Sequence, residues 1–355
     1  MKKLHKYLMI TVLIGLVVFP LNNLIAGNED RTGEAGASEL LINPWARSSG
    51  WGDANSACIR GLEAQYLNVA GTAFTKGTEL VFSRTIWLQG TDININAFGI
   101  SQKLGENKGV ISFGIMSMSF GEIDITTVDF PEGGGIGTFS PSLLNISISY
   151  AKAFSNSIYG GINFKIISEQ ISDVSAQGLA IDAGIQYVTG EQENIKFGIS
   201  MKNVGPTMKY SGDGLSFRGF VPGQENSLTV EQRSASFELP SLIKIGASYD
   251  FLFTDHTLTV AGNFTSNSFT KDQYALGLQY SWKEYLVLRG GYVYEEDLFS
   301  DFDAGRTTAL TGPTAGLTIQ APLNKEKGSS FSVNYSYRAS DPFSGTHSIG
   351  ARINL

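Results

Sequence analysis

The 355-residue sequence has a single cysteine, Cys58, and three histidines. One cysteine excludes a disulfide framework and any site built from several thiolates. Cys58 lies too far from the N-terminus to carry a lipid and reads as a small buried residue. His5, His256 and His347 have no ligand partner at metal spacing. Charge is also scarce: Asp, Glu, Lys and Arg make up 17% of the chain, against roughly a quarter in ordinary domains. The net charge of −7 leaves no basic face for phosphates, which argues against a nucleic-acid partner. With only 10 prolines the composition is neither disordered nor collagen-like. After the first 26 residues no apolar run approaches the roughly 18 residues of a membrane-spanning helix.

Catalytic constellations are missing too. There is no Gly-x-Ser-x-Gly elbow, and Glu132-Gly133-Gly134-Gly135-Ile136-Gly137 lacks the Gly-Lys-Ser/Thr of a phosphate loop. Glu295, Glu296, Asp297, Asp301 and Asp303 with Gly305 partly imitate a calcium loop, but the later ligands are not at its spacing. No enzyme activity, metal or cofactor is expected.

What is present is glycine, 41 residues, together with 22 Phe, 14 Tyr and 4 Trp. The first 26 residues read as a signal peptide: Lys2, Lys3 and Lys6, then an apolar run from Tyr7 to Phe19, then Ala26 as the expected cleavage site. From residue 78 the chain alternates with period 2. Phe331, Val333, Tyr335 and Tyr337 interleave with Ser332, Asn334, Ser336 and Arg338; Ile195, Phe197, Ile199 and Met201 interleave with Lys196, Gly198, Ser200 and Lys202. In a strand, that pattern puts one set on each face. Segments of about ten residues with one apolar face are the strands of a transmembrane barrel.

Fourteen such segments are expected, at 78–88, 92–104, 109–121, 142–154, 157–169, 178–189, 194–204, 241–252, 256–266, 272–282, 285–295, 312–322, 329–339 and 346–355. The long connections, 122–141, 168–177, 205–240 and 296–311, all fall at odd-numbered positions, and every even-numbered connection is short. This parity of tight turns at one end and longer loops at the other is that of outer-membrane barrels. A soluble β-sandwich, the alternative, has no reason to keep it. The fold class is therefore all-β: a transmembrane antiparallel barrel in the outer membrane, with the N- and C-termini on the periplasmic side. Tyr335 and Ile353 fall on its lipid face, and Trp87, Tyr150, Tyr187, Trp282, Tyr285 and Tyr294 on its interfacial girdles. Asp182, Gln186, Lys196, Lys202, Lys244, Arg289, Arg338 and Arg352 face a mixed polar lumen.

Residues 27–77 lack the strand rhythm, with a helix expected from Arg60 to Leu67. A fourteen-strand lumen is wider than one layer of side chains fills. This segment is expected to plug the lumen through Asn43, Arg47, Asn68 and Gly71. The connection 205–240 is too long for structural need and carries Tyr210, Phe217, Phe220 and Val221. Either these side chains fold back over the barrel mouth as a lid, or they contact a protein partner. Gly160-Gly161 and Gly290-Gly291 are candidates for weakening the wall into a lateral opening.

The stretch ASELLINPWARSSGWGDAN at 37–55, followed by Tyr66-Leu67-Asn68-Val69-Ala70-Gly71-Thr72-Ala73-Phe74, resembles the N-terminal pattern of the PorV/PorQ family of Bacteroidota. Asn68, Ala70 and Gly71 match its W-N-P-A-G-L-A box, while Val69 replaces the Pro and Leu67 the aromatic. The resemblance implies a barrel similar to the fourteen-stranded long-chain fatty-acid transporters and a role in type IX secretion. It implies partners in secreted proteins with C-terminal sorting domains, the translocon barrel and the surface attachment complex. The ending Ser348, Gly350, Ile353 and Leu355 is similar to the signal read by the barrel-assembly machinery. Fold analogy leaves a second class open: a channel or carrier for small hydrophobic compounds. A carrier needs an apolar path and a gapped wall, whereas a secretion component needs outer loops suited to protein.

Overall fold

A computed structural model describes residues 27–105, 108–220, 226–283, 285–301, 305–324 and 328–355. The expected signal peptide, Val221 and Asp303 lie outside the described residues.

Fourteen antiparallel strands close into a barrel: β1 (Thr78–Trp87), β2 (Ile93–Gly105), β3 (Gly109–Ser119), β4 (Ser142–Ala153), β5 (Ile158–Ile171), β6 (Val174–Thr189), β7 (Ile195–Val204), β8 (Leu242–Leu252), β9 (His256–Asn267), β10 (Gln273–Trp282), β11 (Leu286–Glu295), β12 (Leu310–Asn324), β13 (Ser329–Ser340) and β14 (Thr346–Asn354). Each strand pairs with its sequence neighbours, and β1 closes the ring on β14 from Glu79↔Asn354 to Ile86↔His347. The alternation is what closes it: one face must meet lipid, so a one-residue slip would expose every polar side chain. Ile185, Ile199 and Ile245 lie side by side on three adjacent strands and are all exposed on the outer wall. Their inward neighbours Lys196, Ser200, Lys202 and Lys244 are buried.

The strands expected from the pattern are present, and the even connections form one tight end, here the turn end. Gly109 and Gly190 take positive φ there, where a side chain would be strained. The opposite, loop end carries 205–241, 120–141 and 296–309. Two expectations are corrected. The connection 168–177 is no loop: β5 and β6 run on to Ile171↔Val174 and turn at Ser172 and Asp173. The strand pattern simply outlasts the span needed to cross a bilayer. The helix expected over Arg60 to Leu67 shrinks to one turn, Ala64–Leu67, because Gly61 takes φ +82 just before it.

Tyr335 lies near the middle of β13 with its ring outward, and Ile353 lies near the turn end of β14. Tyr335→Arg should destabilise the barrel by about 2–4 kcal/mol, and Ile353→Arg by about 0–1 kcal/mol, as mid-plane and interfacial positions differ. Urea titration followed by heat-modifiable gel migration checks this. Equal effects at the two sites would defeat the assigned membrane span.

Candidate functional site

The segment 27–77 lies inside the ring. It begins at the loop end, where Asn28 N–H donates to Asn267 O (3.4 Å), Gly36 N–H to Glu238 O (3.0 Å) and Arg31 pairs with Glu238. It leaves at the turn end, where Lys103 N–H donates to Gly77 O (2.9 Å) and Thr78 pairs with Leu355. Gly27 sits against Thr270 and Asp272, so it is at the end opposite Thr78 and Leu355. The expectation that the N-terminus shares the turn end with the C-terminus is therefore corrected. It holds for the barrel strands and fails for the segment ahead of them.

Mid-lumen, the fit is set by glycine. Ten of the fourteen strands turn a glycine inward against this segment. A Cβ on Gly99 would lie 2.7 Å from Leu62, on Gly198 2.8 Å from Ala57 Cα, on Gly277 2.7 Å from the Trp51 ring, and on Gly316 3.1 Å from Gly50 Cα. Gly114, Gly161, Gly184, Gly246, Gly291 and Gly350 face Gln65, Val69, Asn68, Ser56, Trp51 and Ala46 in the same way. Gly161 pairs with Gly184, Gly198 with Gly246 and Gly277 with Gly291, so the glycines form a collar. The remaining four strands place Ser83, Ser147, Ala261 and Ser336 inward at its level. The Gly160-Gly161 and Gly290-Gly291 pairs are corrected accordingly. The ladder is unbroken at both, and Gly161 and Gly291 admit the segment rather than weaken the wall.

Polar atoms close the remaining gaps. Asn68 caps the 3-10 turn Val69–Phe74 by accepting from Ala70 N–H, and its amide donates to Ile185 O (3.1 Å) on the wall. Gln186 Nε2 donates to Ser56 O and Ile59 O, both at 3.1 Å. Gln65 donates to Ser149 and Asn163. Asn43 braces the segment internally, donating to Ser48 Oγ (3.0 Å) and Asp53 Oδ1 (2.9 Å) and accepting from Trp45 N–H. Gly71 lies under Ile59 O and Ala64 Cβ, where a Cβ would collide; close approach, not a turn, requires glycine there. Arg47 lines a cavity at the turn end.

Charges join the segment to the wall. Arg352 on β14 binds Glu63 of the segment (2.7 Å) and lies 3.1 Å from Glu79 on β1, so one cation ties the plug region to both edges of the closing seam. Asp53 lies between Lys244 (3.5 Å) and Arg338 (3.4 Å). Lys165 pairs with Asp182 (2.7 Å), Lys196 with Asp250, and Lys202 sits 3.6 Å over the Tyr66 ring. Asp53 and Glu63, which complete two of these sets, were not singled out from the sequence. A carboxylate in a stretch of small and apolar residues was the available signal.

Two larger spaces flank the collar. The turn-end vestibule, about 390 Å³, is lined by Arg47, Arg60, Lys196, Asp250 and Arg352 among others. Cys58 opens on it. At the loop end a cavity of about 100 Å³ has a mixed lining: Leu41, Ala275, Val293, Leu298, Leu310 and Pro313 on one hand, and Asp53, Lys244, Gln273, Glu295 and Arg338 on the other. The wall beside it is irregular. The β11–β12 ladder stops at Tyr292↔Pro313, and the β12–β13 register shifts between Leu310 and Thr314. Gly312 takes φ +102 and Pro313 has no N–H to donate.

Above the barrel, the long loop divides. Tyr210 folds back, packing on Phe237 and donating to Glu169. Phe217 and Phe220 stand on the hairpin Ser216–Phe220/Ser227–Glu231 and are 54% and 77% exposed, so they do not cover the mouth. Among the described residues the acidic run does not converge. Asp297 pairs with Lys271 (2.5 Å), while Glu295 accepts from Gln273 and Thr307. In the last strand Ser348 bonds Thr85 across the seam, Gly350 belongs to the collar, Ile353 faces outward, and Leu355 is held by Thr78.

No family model and no curated protein matches the sequence. Among solved structures, the Pseudomonas putida toluene transporter TodX is similar at 12% identity and a TM-score of 0.54, over 87% of this chain and 96% of that one. A TodX deltaS2S3 mutant, described as a monoaromatic hydrocarbon channel, gives 11% identity and 0.51 over 83% and 95%. The likeness is one of fold: the present chain shares the closed-barrel architecture of this transporter and channel.

Proposed function

We propose that this chain is an outer-membrane carrier for small hydrophobic compounds, with its turn end periplasmic and its loop end outside. The observation that carries the reading is the loop-end cavity beside the interrupted β11–β12 ladder. Its charged members are paired or hydrogen-bonded, Asp53 with Lys244 and Arg338 and Glu295 with Gln273 and Thr307, and its apolar members suit a compound no larger than a single aromatic ring, toluene being the one named for a protein of this fold. The collar closes the axial route, so the exit runs sideways past Pro313 into the bilayer. Ala275→Trp fills the cavity from β10 and should lower toluene uptake by cells expressing the protein at least about tenfold, since steric exclusion removes the binding step. Folded barrel level, read by heat-modifiable migration, should stay unchanged. Normal uptake in the variant would sink the lateral route.

A second reading is favoured by the exposed hairpin. Phe217 and Phe220 offer aromatic anchors of the sort that dominate protein interfaces. With the PorV/PorQ resemblance this supports a secretion component that binds C-terminal sorting domains and hands cargo from translocon barrel to attachment complex. Phe217→Ala with Phe220→Ala should then leave barrel stability within about 0.5 kcal/mol, as exposed positions do, while surface-attached cargo falls. Normal cargo display at normal protein level would defeat it.

A further inference from the structure

A smaller cavity, about 50 Å³, lies between the luminal segment and β3–β5, apart from the loop-end cavity used above. Leu40, Trp45, Ile115 and Met116 make most of its wall apolar. Into it come Glu39, on the 3-10 turn Ser38–Leu41, and Asn145 on β4. Glu39 is 2% exposed, and neither of its carboxylate oxygens has a hydrogen-bond partner. Asn145 Oδ1 is buried without a partner as well. Three acceptors thus share one enclosed space, and buried acceptors of this kind normally have donors.

The neighbouring donors are committed. Lys165 lines the cavity but gives two of its three N–H donors away from Glu39, to Asp182 and to Asn203 Oδ1, both at 2.7 Å. Gln65 donates to the wall residues Ser149 and Asn163. The Tyr210 hydroxyl goes to Glu169, a second buried carboxylate whose charge acts on Glu39. Water would satisfy the acceptors but leave the charge, and an apolar wall strengthens the field of an uncompensated carboxylate.

We propose that this cavity is a binding site for a small primary ammonium ion. An –NH3+ head carries three donors. These match Glu39 Oε1, Glu39 Oε2 and Asn145 Oδ1, with a short alkyl stem against Met116 and Trp45. The occupant would bridge the segment, through Glu39, to β4, through Asn145. The inference stands independently of either transport reading.

The test uses the full-length barrel in detergent at pH 8 with methylammonium chloride as probe. Tetramethylammonium chloride and sodium chloride at equal ionic strength are the controls. Methylammonium should raise the temperature at which the heat-modifiable band converts, by several degrees and saturably, and shift the emission of the cavity-lining Trp45. Tetramethylammonium, with no N–H, should do neither. Asn145→Leu should weaken the effect roughly tenfold, as loss of one hydrogen bond to a charged group does. Glu39→Gln should abolish it. A shift that is absent or unsaturable, equal for sodium, or retained in Glu39→Gln would overturn the proposal. So would a response to pH alone, which would make the occupant a proton. The wild-type comparison of the three salts decides the matter even if a variant fails to fold.

Discussion

Arg352→Met is expected to be among the most destabilising single substitutions in the barrel, by about 3–5 kcal/mol, because it leaves Glu63 and Glu79 buried without their cation. The pair is worth little as a source of stability relative to an apolar replacement of all three groups; removing one partner is what costs. The contact to Glu79 is an ion pair without hydrogen-bond alignment, so Glu63, which also accepts from Ser48 N–H at 2.9 Å, should carry most of the loss. Restoring neutrality with Glu63→Gln in the Arg352→Met background should recover more than Glu79→Gln does. Urea midpoints of the four proteins give the comparison. An Arg352→Met barrel as stable as the wild type would show that the seam is held by its backbone ladder alone.

Glu39→Gln should act in the opposite direction and stabilise the barrel by about 1–3 kcal/mol at pH 8, because the Glu39 carboxylate is buried and neither of its oxygens has a hydrogen-bond partner. The neutral amide removes the buried charge and supplies a donor beside Asn145 Oδ1, itself buried without a partner. Urea midpoints of the two proteins in tetramethylammonium buffer free of primary amines, read by heat-modifiable migration, give the comparison. A variant no more stable than the wild type would show that the carboxylate already has its partners.

The barrel was largely legible in the sequence, and the reason is local. A wall residue faces either lipid or lumen, and its neighbours two places away share that choice. The alternation around Ile199 or Tyr335 therefore needs no knowledge of the rest of the chain. The collar is different. Gly198 and Gly246 look like ordinary wall glycines until the strand register puts them side by side and the luminal segment against both. That is long-range information. The same holds for Glu63 and Arg352, far apart in sequence and 2.7 Å apart in space. Asn68 could be picked out because it sits in a motif-like stretch, whereas Glu39 could not, because nothing local shows that Lys165 is already taken by Asp182. The hairpin bearing Phe217 and Phe220 was ambiguous for a related reason: a lid and a docking surface have the same composition.

The course of the luminal segment also decides how often the polypeptide passes from one face of the bilayer to the other. Fourteen strands are an even number and bring Leu355 back to the side of Thr78. The stretch from Gly27 to Gly77 adds one more passage, made within the wall and shielded from lipid. The total is odd, so Gly27 and Leu355 lie at opposite ends of the barrel. In the orientation proposed above, a tag joined ahead of Gly27 is expected to meet the medium outside the cell, and one joined after Leu355 the periplasm.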